Sequence, residues 1–266
     1  MTGNTHRLTP SRLYVGAQHA LYVGATTASR HRHHAVQISL ALARPFRMRL
    51  EQDAWQEYRG VIIRPDTEHE FDSGGVAVAN MFLDVESADY RVILQAQSAG
   101  AIEVGRSLDV SQELLQALRA FHAGESAMAT APELCIQIVE ALLGRTLAHR
   151  KIDPRVSRVL EMIGKEPAEK IRVARLANAV ALSPSRLAHL FAEQVGVPIR
   201  RYRLWRAIRE AIRLCLGGAS LTEAAHATGF SDSAHFSNSF RDLFGMTPSL
   251  LLSPQAAVEI LLGTEV

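Results

Sequence analysis

The sequence predicts a two-domain α+β protein: a small antiparallel β-barrel or sandwich with helices packed on it, then an all-helical half. Three observations carry this. Between Leu13 and Leu83, short apolar runs are broken by turn residues, with no helical period between them. From Ser111 onward, apolar residues recur every three or four positions. Between Ala177 and Pro248, one pattern is written twice.

Leu13–Val15 and Leu21–Gly24 are short β-like pieces. His31-Arg-His33-His34-Ala-Val-Gln37 is a histidine-rich strand start, and from Val36 to Leu42 large apolar residues alternate with smaller ones as in a half-buried strand. Arg47–Leu50 alternates too, Trp55–Gly60 reads as a hairpin region, and Val61–Ile63 is a strand stopped by Pro65. Asp66 to Phe71 and a Gly74-Gly75 turn lead into a strand over Val76–Leu83. Such a run of short strands suits a small barrel or sandwich.

The period then changes. Ser87–Gln97 is read as helical. Ser111–Phe121 places Leu114, Leu115, Leu118 and Phe121 on one stripe. Thr130-Ala-Pro132-Glu133 resembles a capping box opening a helix with Leu134, Cys135, Ile138, Val139, Leu142 and Leu143 inward. A spare apolar edge on helices 111–121 and 132–147 would serve a dimer; packing within one subunit explains it equally well. Arg145–Asp153 is the linker, so the domains are 1–148 and 149–253, with 254–266 as a C-terminal tail. Arg155–Ile163 is the next helix.

The repeat follows. Its first copy reads Ala177-x-x-x-Ala181-Leu-Ser183-Pro-Ser, then Leu187-x-x-x-Phe191 and Gly196. Its second reads Ala225-x-x-x-Gly229-Phe-Ser231-Asp-Ser, then Phe236-x-x-x-Phe240 and Gly245. Each copy is a short helix, a tight turn, a second helix and a glycine stop, the pattern of a helix-turn-helix. Ser183 stands at an N-cap with Pro184 behind it, and Ser231 is expected to cap the second copy. The second helices are placed at about 183–194 and 231–243. Leu187, Leu190, Phe191 and Gln194 face inward in the first, and Phe236, Phe240, Leu243 and Phe244 in the second. The outer faces are small, polar or basic, which suits close approach to base edges in a major groove. Between the copies, Pro198 to Leu216 reads as one long arginine-rich helix closed by Gly217-Gly218, and Ser220-Leu-Thr-Glu223 is a capping box. A rigid helix here fixes the distance between the two units.

Composition agrees. The chain has 266 residues and a net charge of +2. Residues 151–254 carry fifteen Lys and Arg against nine Asp and Glu, a net of +6, whereas residues 1–150 carry fourteen against sixteen, a net of −2. The basic part coincides with the repeat and points to an anionic partner there. Cys135 and Cys215 read as separate buried thiols in a reducing cytosol. No run is long enough to span a bilayer, and no secretory leader is read at the start, so a cytoplasmic protein without a membrane partner is expected.

The motifs Asp153-Pro-Arg-Val-x-Arg-Val-Leu, Leu182-Ser-Pro-Ser-Arg-Leu187-x-x-x-Phe191, Ala225-x-x-x-Gly229-Phe-Ser-Asp and Phe236-x-x-x-Phe240-Arg-x-x-Phe244-Gly-x-x-Pro248 resemble the AraC/XylS family of bacterial transcription regulators. The resemblance covers about residues 153–253. It implies a double helix-turn-helix domain that places both recognition helices in successive major-groove segments of double-stranded DNA. Carried over residue by residue, the base-reading positions are Ser185, Arg186, Ala188 and His189, and then Ser233, Ala234, Ser237 and Asn238. Ala188 and Ala234 offer only apolar contact, so readout leans on Arg186, His189 and Asn238. Lys170, Arg200, Arg201 and Arg241 are the phosphate candidates. The family habit also implies a homodimer and, for an activator, contact with RNA polymerase.

Family members often carry a cupin-like sensor barrel. His31-x-His33-x-x-x-Gln37 and Pro65-x-x-x-His69 resemble the two cupin motifs, with Gln37 where metal cupins usually have glutamate. Three readings stay open for His31, His33, Gln37 and His69: a divalent metal site, the lining of a small-molecule effector pocket, or structural residues. Glutamine is a poor ligand, which weakens the first. His34 is expected to point away from His33. The competing functions are a cupin-type metalloenzyme with a helical appendage, which lacks the carboxylate ligand and any further acid/base constellation, and an architectural DNA-binding protein, which leaves half the chain without a task. The reading favoured is a sequence-specific regulator that is not an enzyme.

Overall fold

In the computed structural model of the chain, the described residues are 10–16, 18–84, scattered positions from 87 to 93, 110–143, 152–165, 171–253 and 257–263. The N-terminal half holds nine strands: β1 Ser11–Val15, β2 His19–Gly24, β3 Thr27–His31, β4 Val36–Ala41, β5 Phe46–Leu50, β6 Gln56–Tyr58, β7 Gly60–Ile63, β8 His69–Asp72 and β9 Val78–Leu83. Helices α1 Gln112–Ala123 and α2 Ala131–Leu143 follow. The C-terminal half holds α3 Pro154–Lys165, α4 Val173–Ala179, α5 Pro184–Val195, α6 Ile199–Leu216, α7 Leu221–Ala227, α8 Ser233–Phe244 and α9 Pro248–Leu252, and then a last strand, β10 Val258–Leu262.

The strands form two sheets, in the orders β10-β1-β2-β9-β4-β7 and β3-β8-β5-β6. They are hydrogen-bonded separately, so the barrel is not closed. Strand alternation gives the larger sheet two distinct faces. Val36, Ile38, Leu40, Met81 and Leu83 join a core with Leu118 and Phe121 of α1 and Leu134 and Ile138 of α2. The opposite face carries Gln37, Ser39, Asn80 and Phe82, with Ser39 beside Asn80 and Gln37 beside Phe82 in register. β4 is therefore buried along its whole length rather than half-buried as its alternation suggested, because helices cover one face and the remaining elements cover the other. The apolar stripes considered for a dimer are used in this packing within the subunit.

Several boundaries differ from the sequence reading. β3, ending at His31, precedes a separate β4, so the histidine stretch is a strand end and a turn rather than a strand start. Thr130 does not cap α2: it ends a 3₁₀ turn, and its hydroxyl donates to Ala127 O at 2.8 Å. Ser111 caps α1, accepting from Leu114 N. The helix expected over 87–97 lies mostly outside the described residues; Tyr90, Val92 and Ile93 are helical and buried. The linker proposed at 145–153 lies outside them save for Ile152 and Asp153. The stretch taken for a tail contains β10, which pairs in parallel with β1, Val258 opposite Ser11 through Leu262 opposite Val15. Its alternation of Val, Ile and Leu around Glu259 suits an edge strand, and Glu259 lies 2.9 Å from the buried Arg12.

In the helical half, both units follow the repeat. The turn of the first contains Ala181 at φ +53°, and that of the second contains Gly229 at φ +88°, the matching position of the motif. A left-handed residue is needed at both, and only glycine adopts it without steric cost. Phe191 packs against Tyr202 of α6 with ring centroids 5.6 Å apart, and Phe230, Phe236 and Phe240 cluster with Ile208 and Ile212 of the same helix.

α6 is also fixed to the larger sheet. Asp84, just past β9 and 5% exposed, accepts from Trp205 Nε1 at 2.9 Å and from Arg209. The second arm of Arg209 donates to Gly16 O at 3.0 Å. Arg201 pairs with Asp66 at 2.7 Å. At the far end of α8, Ser29 donates to Gly245 O through its N–H at 3.1 Å and its hydroxyl at 2.8 Å.

The two turns give a matched test. Gly229→Ala is expected to lower stability by about 1 kcal/mol or more, because the side chain is forced into the left-handed region. Ala181→Gly is expected to change it by less, since that strain is already present. Urea denaturation of both variants checks this; equal losses contradict it.

Candidate nucleic-acid interface and sensor site

The first candidate recognition helix, α5, is built as its sequence dictates. Ser183 accepts from Arg186 N at 3.2 Å, Pro184 fills a position where no N–H is needed, and Gly196 closes the helix at φ +82°. Leu187, Leu190, Phe191 and Val195 are buried. Gln194, expected inward, is half-buried and accepts from Asp153 N at 2.7 Å, tying the start of α3 to α5. Ser185, Arg186, Ala188 and His189 are all exposed.

In the second unit, the capping box at Ser220 and Glu223 is present. The cap of α8 is Asp232 rather than Ser231: its carboxylate accepts from His235 N at 2.7 Å, while Ser231 donates to that carboxylate. The helix begins two residues later than expected, at Ser233, because a carboxylate in the correct register caps it and is favoured by the helix dipole. Phe236, Phe240 and Leu243 are buried, and Ala234 and Asn238 are exposed. Ser233 and Ser237 are half-buried, and the Ser237 hydroxyl donates to Ser233 O at 2.7 Å. His235 is exposed at the same end of the helix; its position two residues after Ser233, the first residue of α8, was the signal for it, and the sequence reading passed over it.

Arg200 and Arg241 are exposed. Arg201 is engaged by Asp66, which also takes an interaction from His34 at 2.9 Å. Burial alone would raise the Asp66 carboxyl, but His34 and Arg201 beside it hold it below the usual range. Lys170 lies outside the described residues.

The structure brings together the N-terminal candidates. β3 ends at His31, β8 begins at His69 directly opposite it, and the turn into β4 carries His33. Ring centroids are 4.1 Å apart for His31 and His69, and 5.1 Å for His33 and His69. All three are buried, and a ring nitrogen from each lies within 4.8 Å of the others. His34 turns away to Asp66, as expected. In each of the three, Nδ1 faces a backbone carbonyl: Ser29 O at 2.8 Å, Ala35 O at 3.0 Å and Thr67 O at 2.9 Å. A carbonyl can only accept, so each Nδ1 carries the proton and each Nε2 keeps its lone pair.

Burial pushes the three imidazoles down from their ordinary value of 6.5, His33 to about 3, so all are neutral near pH 7. His33 Nε2 lies 2.7 Å from the Gln37 amide oxygen as placed. A neutral His33 with its proton on Nδ1 has no hydrogen to give there. The amide therefore presents its NH₂ to His33, and its oxygen accepts from Ser39 Oγ, 2.8 Å away. The Nε2 of His69 has no partner. Three neutral nitrogens held by carbonyls in this way fit the donor set of a zinc-like divalent ion, and the carbonyls would orient them as ligands. Gln37 would have to turn away from His33 for an ion to enter.

A cavity of about 340 Å³ adjoins the triad. Its walls come from the larger sheet, from β3 and β8, and from α6, α8 and α9; His31 and Gln37 stand at one end.

Residues 176–253 match the family described as a helix-turn-helix domain. The arabinose operon regulatory protein of Escherichia coli is 32% identical over 124 residues, 44% of this chain and 42% of that protein. A putative AraC-like transcription regulator of Streptomyces antibioticus is 36% identical over 97 residues, 36% of this chain and 32% of that protein. Over these residues the C-terminal domain is similar to those of AraC-type regulators. The match spans less than half the length of these curated relatives. In fold, the chain resembles ToxT of Vibrio cholerae, with a TM-score of 0.57 at 11% identity over 88% of this chain and 98% of that one. Another ToxT structure, with a TM-score of 0.54, holds an unsaturated fatty acid. The AraC-type architecture of a β-rich half followed by a double helix-turn-helix is thus present along the chain. No helix among the described residues is long and apolar enough to cross a membrane. Cys135 and Cys215 are free thiols; Cys135 is buried, and burial pushes it up to about 12.

The histidine triad sets a direction for stability against pH. An unfolded chain takes up protons on these imidazoles below about pH 6.5, and the folded chain does not until much lower, so stability falls as pH drops below that value. In chelator, the urea midpoint is expected to fall between about pH 7.5 and about pH 5. An unchanged midpoint contradicts the neutral, buried assignment.

Proposed function

We propose that the chain is a sequence-specific DNA-binding transcription regulator that senses a small-molecule effector through its N-terminal half. The observation that carries this is the pair of capped helices, α5 and α8, each with an apolar face buried against α6 and a small, polar or basic face exposed. Ser185, Arg186, Ala188 and His189 read bases in one major-groove segment, and Ser233, Ala234, Ser237 and Asn238 read the next. His235 stands where it adds to the second set. Arg200 and Arg241 are placed for phosphate contact; Arg201 serves instead to hold α6 on the β-rich half. Activation through RNA polymerase, homodimerisation and a cytoplasmic setting complete the reading by analogy with the relatives. No catalytic step is assigned to the chain.

The effector reading is supported by the cavity between the halves and by the ligand held in ToxT. A second reading is favoured by the three converging ring nitrogens: His31, His33 and His69 bind a divalent ion, which would supply a fixed positive charge at the cavity's end. Metal analysis of purified protein separates the two. A stoichiometric ion lost in His69→Ala supports the metal reading, and an absence of metal after zinc loading and desalting removes it.

For DNA, Arg186→Ala and Asn238→Ala are each expected to relax discrimination at one position of the site by about 1–3 kcal/mol. Arg241→Ala is expected to weaken binding evenly across sequences and to lower the salt slope by about one. Gel-shift titrations on matched and single-mismatch duplexes check both. Unchanged preference in both base-reading variants contradicts the assignment.

A further inference from the structure

The cavity has a polar pattern that narrows its occupant. Its walls are mostly apolar, with Leu13, Phe71 and Phe82 from the sheets and Trp205, Phe240 and Phe244 from the helices. Two polar groups face it without a full set of partners. Asn80 is 4% exposed, and its amide oxygen has no hydrogen bond. His31 donates from Nδ1 to Ser29 O, which leaves Nε2 as an acceptor. An unpaired buried amide is costly unless something completes it. The guanidinium on the wall is already used: Arg209 is bonded to Asp84 and to Gly16 O.

We propose that this cavity binds an uncharged molecule with an apolar, aromatic-sized body and one hydroxyl, an alcohol or phenol, whose hydroxyl meets Asn80. A hydroxyl both donates and accepts, so it completes the amide in either orientation. A carboxylate would enter without a cation of its own and would lose its hydration uncompensated. The site is whole only when α6 and α8 lie against the sheet, because Trp205, Arg209, Ile212, Phe240 and Phe244 form one of its walls. An occupant therefore favours the docked arrangement by the difference in its affinity for the two states. This deepens the regulator reading, on which its regulatory meaning rests, while the binding itself is measured without DNA.

The test uses full-length chelator-treated protein carrying Trp55→Phe, so that Trp205 at the cavity wall is the single indole. It is titrated with 4-butylphenol, 4-butylanisole and 4-butylbenzoate, which share one body and differ in the polar end. Trp205 fluorescence is expected to report binding of the phenol at least about ten-fold tighter than the anisole or the benzoate. In Asn80→Leu the phenol is expected to lose its advantage over the anisole. Should that variant fail to fold, the ranking of the three compounds in the parent protein still decides. A benzoate that binds as tightly as the phenol overturns the uncharged class; no saturable response to any of the three overturns the site. Loss of operator binding in gel shifts, with the phenol ranking intact, would overturn the regulator reading alone.

Discussion

The arrangement depends on one buried carboxylate. Asp84 ends β9 and receives both Trp205 and Arg209 from α6, one helical turn apart on the same face. A carboxylate this buried is tolerable because a guanidinium and an indole N–H both answer it; removing the guanidinium takes away the opposite charge that offsets it. Since α6 is also the core element for both helix-turn-helix units, this contact fixes the DNA-facing half on the sheet. Arg201 with Asp66 and Ser29 with Gly245 O add further attachments along the same surface. β10 returns the chain to the sheet edge, where it pairs in parallel with β1.

The same surface bears the buried polar groups. The sheet face toward the helical half carries the polar Gln37, Ser39 and Asn80 together with Phe82, while the opposite face is given to the apolar core. Burying polar groups at this junction costs stability, and the cost is met at His33, Gln37 and Ser39 by a closed chain of hydrogen bonds. It is left unmet at Asn80 and at the Nε2 of His69. Unmet polar atoms where two domains join are places where a ligand gains the most, and there its binding acts on domain position.

Much of this was legible in the sequence where the signal is local. The repeat gave both recognition helices, because cap, apolar stripe and glycine stop lie within twenty residues of one another. The convergence of His31, His33 and His69 was readable through the resemblance to known motifs. What was not legible depends on distant pairing. β10 follows a short segment after α9 and looks like a tail until β1 supplies its partner. Asp84 looks like an ordinary strand end until α6 is laid beside it, although the four-residue spacing of Trp205 and Arg209 marked a face on that helix. Asp232 replaced Ser231 as a cap because two capping residues stand side by side; the four-residue step from Ser183 to Leu187 recurs from Asp232 to Phe236, so the spacing already favoured the aspartate. Arg201 was read as a phosphate contact because charge alone does not reveal a partner some 135 positions earlier in the chain.

The central claim is that α6, held on the sheet through Asp84, carries two readers that address the same side of one duplex. Hydroxyl-radical footprinting on a site selected from random-sequence DNA tests it most directly. Two protected patches on one face, about 10 base pairs apart centre to centre, are the result this account predicts. A single patch, or two patches on opposite faces of the duplex, would contradict it.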